Sequence, residues 1–496
     1  MIGQRTALSS SLMVGARLLS RVIDLGVMLI LARLLSPADF GLVAIAMTIV
    51  SILEAALELP LSQALVRLPE IKQSYYDTAF TLSLIRGVLL CGAICALAVP
   101  FARYYHHPEL VPLMQALSLA PAARGMQNPR LAEYAKALNF KYEFFFELTG
   151  KTTAFVIGAT TAWLTHSYWS IALCTITAPL MISALTYGFI PYRPRLTLAD
   201  WRLFHHFLGW ISLSQMALAF NWQSDQLLLG KLMPPAELGL FSTASNITAI
   251  PMAALFSPML RPLLSAFTMV KGDPERLRAS YQTAASAVVA IGLPLLAGQS
   301  AVAAPMVMVL LGAKWVGAIP LVRWLSISLI PYVFGVLLTP LGMALGQTRE
   351  MALRDIFQLL VKLPLVIVGA IYYGFAGVVA ARLIAEATTA LFCMASVKRL
   401  IGASIAAQFA ACSRPIIAVL VMLSGLALLR PWLNFGPGEG AQAAQLVLSI
   451  FCGAVLYTGS LMLLWRVAGQ PRGFEATAMG IFKSLWTQRR KRTAEA

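Results

Sequence analysis

Arg17, Arg21 and Asp24 stand close together in a stretch, 10–34, that is otherwise mostly apolar. On a helix turning 100° per residue they fall within about 60° of one another, so they form one stripe. A second arginine of this kind is Arg261, flanked by Pro258 and Pro262 in another apolar run. Guanidinium holds phosphate oxygens in a two-pronged fork that an ammonium does not match. Arg17, Arg21 and Arg261 therefore suit a phosphate or pyrophosphate in a hydrated cavity. The other reading is that Arg17 extends to the headgroups and Arg21 neutralises Asp24.

Acidic groups accompany them. Glu54 and Glu58 lie one helical turn apart. Two like charges so placed need a proton or a cationic partner such as Arg21. Asp24, Glu54 and Glu58 are thus the expected groups for ion coupling, or for displacing a bound anion. Arg382 and Glu386 share the same spacing with opposite charges and are expected to pair. The run Asn221-Trp222-Gln223-Ser224-Asp225-Gln226 is unusually polar for its apolar surroundings. Trp222 offers a stacking face and Asp225 an acceptor for sugar hydroxyls; equally, the run fits a hydrated mouth at the outer surface. The sequence holds no phosphate-binding glycine loop and no nucleophile–base set. His106-His107-Pro108-Glu109 has no further ligand cluster and reads as loop polarity. No metal and no cofactor are expected.

The elements that must position these groups follow from composition. Of 496 residues 59% are hydrophobic and 12% charged, with a mean hydropathy of +0.75. A soluble enzyme carries roughly 25% charge, so this is a polytopic membrane protein. Closed barrels need short alternating strands, whereas these apolar runs are long and continuous. The expected fold is all-α, with about fourteen transmembrane helices between residues 10 and 465. The first stretch, bearing Arg17, Arg21 and Asp24, is too charged for a cleavable signal. The six cysteines lie in or beside apolar runs and form no disulfide framework.

Net charge is +17. With both termini placed in the cytoplasm, 25 of the 38 Lys and Arg residues fall in inner segments and 5 in outer ones. That asymmetry orients the chain. No soluble basic domain exists for nucleic acid. The tail ends in Arg489-Arg490-Lys491-Arg492. It either lies on anionic inner-leaflet lipids, at about 1 kcal/mol per charge, or only holds the topology.

Residues 31–60 align without a gap on 229–258, with 13 identities in thirty pairs. LARLLSPADFGL faces LGKLMPPAELGL, pairing Pro37 with Pro235, Gly41 with Gly239 and Pro60 with Pro258. In this turn Pro37 is expected to end one helix and Asp39 to cap the next. The repeat unit is six helices, an even number, so both copies keep one orientation. The expected organisation is a six-helix lobe at 1–190, a cytoplasmic linker at 191–205, a second lobe at 206–400, two extra helices at 401–470 and a basic tail at 471–496. The lobes are related by a pseudo-two-fold axis along the membrane normal. Pro258 and Pro262 are expected to break their helix.

The turns ARLLSPADFGL and DQLLLGKLMPPAELGLFS, with two six-helix lobes, resemble the polysaccharide-exporter (Wzx-like, colanic-acid-exporter) branch of the MOP flippase superfamily, over essentially the whole chain. The resemblance implies a bacterial inner-membrane flippase. It would move an undecaprenyl-pyrophosphate-linked oligosaccharide to the periplasmic leaflet by lobe rocking, and work beside a polysaccharide polymerase and chain-length machinery. A cationic cavity built partly from first-helix arginines, as in the related lipid II flippase, is in keeping with Arg17 and Arg21. A drug/cation antiporter of the superfamily would want a more acidic, aromatic cavity. A membrane enzyme of glycan assembly would want larger external loops.

Overall fold

The computed structural model describes residues 19–20, 22–59, 61–68, 72–137, 139–436, 438–470, 473–476 and 479, without the side chains at 63, 67, 203–214, 217, 254, 255, 257, 258 and 261. Arg17, Arg21 and Pro60 lie outside the described residues, and so do the side chains of Arg261 and Pro258.

The chain forms two compact units, Met1–Thr243 and Ala244–Ala496. The first holds α1 (22–34), α2 (Pro37–Ala56), α3 (Leu61–Arg67), α4 (Gln73–Tyr105), α5 (Leu110–Leu117), α6 (Leu119–Gly125), α7 (Leu131–Lys136), α8 (Lys141–Thr165), α9 (Trp169–Phe189), α10 (Trp201–Leu232) and the start of α11 (Pro235–Val270). The second continues α11 and adds α12 (Pro274–Ala301), α13 (Ala303–Leu310), α14 (Ala318–Ser328), α15 (Ile330–Gly335), α16 (Leu338–Ala344), α17 (Thr348–Ile401), α18 (Ile405–Ala411), α19 (Ser413–Leu429) and α20 (Glu439–Val467).

Wherever the residues are described, the apolar stretches read from the sequence coincide mostly with helix, and the described residues contain no strand. Seven helical segments of the described residues are long and apolar enough to cross a membrane, eight if the bent pair α18–α19 counts as one. Others are too short singly, such as α5 and α6, or too polar, such as α8 with Lys151 and its threonines. Large apolar side chains face outward, among them Val88, Leu89, Ile371, Leu428 and Phe451. In water such a surface would aggregate; in lipid it is the solvated face.

Two local expectations are corrected. Pro37 opens α2 rather than closing α1, and the N-cap is Ser36. Its hydroxyl accepts from the Asp39 amide at 3.3 Å, while the Asp39 carboxylate accepts from the Ser36 amide at 3.0 Å. A proline at the first helical position costs no hydrogen bond, since that amide would have no partner. In the second copy position 234 is proline, so the same hydroxyl cap cannot form. Pro258 and Pro262 do not break their helix either: α11 runs unbroken from Pro235 to Val270. Membrane helices tolerate proline because neighbouring groups satisfy the freed carbonyls.

The 54-residue α17 is two helices joined at Gly374, whose φ of 57° and ψ of −136° lie outside the helical region. A Cβ on Gly369 would stand 2.5 Å from the Gly377 carbonyl oxygen, so the two arms cross in backbone contact.

Candidate functional site

The first unit has an open cavity of about 360 Å³ lined by Asp24, Arg124, Gln127, Lys151, Thr175 and Pro179, among others. A stripe of small residues builds it. Gly150, Ala154, Gly158 and Ala162 recur every fourth position on the buried face of α8. They let α9 approach closely: a Cβ on Gly150 would lie 3.1 Å from the Ala178 carbonyl oxygen. With that face spent on α9, Glu147 and Lys151 turn toward α1.

There they meet a polar chain. Lys151 Nζ donates to Asp24 Oδ2 at 2.7 Å and to Ser20 Oγ at 2.5 Å. Ser20 Oγ donates to Glu147 Oε1 at 2.7 Å, and Lys151 sits 3.4 Å from the same oxygen. One ammonium thus stands between two carboxylates on different helices. A charge at the bilayer centre costs roughly 2.5–3.5 kcal/mol even on the lenient insertion scale, so such groups occur paired or hydrated.

Glu54 and Glu58 also have cationic partners. Arg124 pairs with Glu54, and Arg86 with Glu58 at 2.8 Å. Arg86 further donates to the Leu57 and Glu54 carbonyls at 2.6 and 3.2 Å. It therefore caps the C-terminal end of α2, where free carbonyls favour a cation.

On α10 the polar run faces two ways. Asn221, Ser224 and Asp225 are buried, whereas Trp222 is 57% exposed. Gln226 accepts from Thr48 of α2 at 3.0 Å. In the second unit Arg382 reaches Ser245 at 3.4 Å, and Glu386 accepts from Gln358 at 2.8 Å across the two arms of α17.

The sequence reading placed Asp24 in the cavity but missed its partners there. Glu147 and Lys151 carried a readable signal, being one turn apart on a helix. Ser20 and Gln127 carried none.

The connection after α9 is pinned to α4. Tyr192 donates to Asp77 at 2.8 Å, and Thr81 Oγ accepts from the Thr197 amide at 3.0 Å. Burial first, and the Asp77 bond second, push the Tyr192 phenol above its usual range, so it remains a donor.

At the turns that open α2 and α11 the repeat copies meet within the first unit. A Cβ on Gly41 would fall 1.7 Å from the Pro235 carbonyl oxygen, and one on Gly239 would fall 1.8 Å from that of Pro37. These are equivalent positions of the repeat, in reciprocal contact.

A family model described as "Polysaccharide biosynthesis protein" matches residues 30–320. The lipopolysaccharide biosynthesis protein WzxC of Escherichia coli (strain K12) is 25% identical over 396 residues, covering 77% of this chain and 79% of its own. The succinoglycan biosynthesis transport protein ExoT of Rhizobium meliloti (strain 1021) is 24% identical over 449 residues, 88% of each chain. Among solved structures, the lipid II flippase MurJ in an inward closed conformation aligns with a TM-score of 0.69 at 16% identity, covering 93% of this chain and 99% of that one. An inward-facing MATE multidrug transporter of the MOP superfamily aligns at 0.60 and 15% identity, covering 77% and 95%.

Proposed function

Since the chain belongs to the family of polysaccharide biosynthesis proteins, in the Wzx-like branch of the MOP flippases, we propose that it moves an undecaprenyl-pyrophosphate-linked oligosaccharide from the cytoplasmic to the periplasmic leaflet of a bacterial inner membrane. The observation that carries the reading is the cavity of Asp24, Lys151 and Arg124 inside a multi-pass apolar chain. Ionised groups within spanning helices mark a substrate or ion path.

In this account Arg17, Arg21 and Arg261 hold the pyrophosphate, and the sugars occupy the hydrated space beside Trp222 and Asp225. The prenyl chain stays in the bilayer, because carrying it through water would forfeit about 0.8 kcal/mol per methylene. Rocking of the two six-helix lobes, 1–190 and 206–400, exposes the site outward. Asp24 exchanges Lys151 for a proton or a sodium ion during the cycle, and Glu54 and Glu58 release their arginines as the anion leaves. Both termini lie in the cytoplasm, with the basic tail on anionic lipid. A polysaccharide polymerase then takes the sugar chain outside.

Removing the gene from its host tests the function. Lipid-linked oligosaccharide should accumulate in the inner leaflet while surface polysaccharide disappears. Loss of the precursor itself would instead indicate an enzyme of glycan assembly. Unchanged polysaccharide with raised drug sensitivity would indicate an antiporter.

A further inference from the structure

The second unit has a cavity of its own, about 310 Å³, that the transport account does not use. It lies at the C-terminal ends of α12 and α19, beside the second half of α14 and the N-terminal half of α20. Ser300 and Arg323 line it from α12 and α14, Arg430 from the cap of α19, and Gln445 and Ser449 from the first turns of α20. Its walls are Ile327, Ile330, Leu423, Leu426 and Leu433. The arrangement is held rigidly: Tyr457 of α20 donates to the Ala290 carbonyl of α12 at 2.7 Å.

Arg323 and Arg430 make no hydrogen bond or ion pair with any described residue, although Arg323 lies about 7 Å inside the start of α14. A spanning helix does not carry a partly buried, unpaired guanidinium without a counter-charge. Exposed Trp324 and Trp432 stand beside the two arginines. Exposed tryptophan marks the membrane–water interface, so this end of the unit sits at headgroup depth. It is the end opposite the C-terminus of α20.

We infer that this cavity binds the phosphate headgroup of a net-anionic membrane lipid, with Arg323 and Arg430 on the phosphate oxygens, Gln445 and Ser449 on its ester or glycerol oxygens, and an acyl or prenyl chain along Ile327, Leu423 and Leu426. The leaflet follows from the orientation proposed above; the site itself does not depend on it. Two arginines on separate helices fit one phosphate by the guanidinium fork, and the apolar wall selects a lipid over a free anion. A phospholipid and a polyprenyl phosphate share this chemistry.

The test uses the full chain in proteoliposomes doped with a photoactivatable phosphatidylglycerol, or with its phosphatidylcholine counterpart, followed by mapping of the labelled peptides. The phosphatidylglycerol probe should label peptides spanning 318–330 and 423–449 well above the phosphatidylcholine probe. Arg323→Gln and Arg430→Gln should each lower that labelling about fivefold. Arg430 is exposed, so its substitution leaves packing intact. Undecaprenyl phosphate added as competitor separates the sources: displacement at a lower mole fraction than unlabelled phosphatidylglycerol assigns the site to the carrier lipid, and the reverse order assigns it to phospholipid. Equal labelling by the two probes, or labelling indifferent to both substitutions, overturns the inference.

Discussion

Gly41 and Gly239 each press against the carbonyl that opens the other's helix, at 1.7 and 1.8 Å from where a Cβ would stand. No other residue fits either position without moving a backbone. The contact is reciprocal: Gly41 meets Pro235 and Gly239 meets Pro37, while Gly41 and Gly239, like Pro37 and Pro235, are equivalent positions of the sequence repeat. Such an exchange is what a two-fold relation between the copies produces.

Gly41→Ala and Gly239→Ala should therefore each disrupt the crossing at a cost of about 1–3 kcal/mol. The two effects should be similar in size, since the sites are equivalent. Thermal unfolding in detergent and surface polysaccharide in a complemented deletion strain measure them. A substitution tolerated at one site only would show that the crossing is not symmetric in function.

Lys151→Met should leave Asp24 and Glu147 without their shared cation. Breaking a fully buried pair costs about 3–5 kcal/mol. Both carboxylate side chains are 43% exposed, which reduces this to about 1–2 kcal/mol. Adding Asp24→Asn and Glu147→Gln should restore most of the stability but not transport. Recovery of both would confine the network to a structural role.

Arg21→Ala and Arg261→Ala should abolish surface polysaccharide at normal protein levels. The lysine variants should recover only part of it, because the fork is lost. Normal export by both alanine variants would remove the pyrophosphate role from these arginines.

Orientation is checked by thiol labelling. A cysteine at His107 should react with an impermeant reagent from outside, and one at Arg195 should not. The opposite pattern would reverse the direction of export.

Hydropathy located most of the helices of the described residues, because span length and apolarity leave few alternatives in lipid. The repeat turn was legible down to the pairing of Gly41 with Gly239, though not the direct contact between them. The cavity was less so. Asp24 and Lys151 are far apart in sequence, and periodicity within α1 or α8 says nothing about which helices are neighbours. Glu54 and Glu58 read as a repelling pair because Arg124 and Arg86 arrive from other helices. The Ser36 cap was obscured by Asp39, whose acid serves the box from inside the first turn.

The central claim is translocation itself, and proteoliposomes containing the purified chain test it most directly. An undecaprenyl-pyrophosphate-linked oligosaccharide is distributed over both leaflets, and an impermeant glycosidase is added outside. Without protein, the inner half of the lipid should stay protected. With it, the account predicts that nearly all the oligosaccharide becomes cleavable, and that Arg21→Ala restores protection. A protected half that persists in the presence of the wild-type chain, under an imposed proton or sodium gradient of either sign, would contradict it.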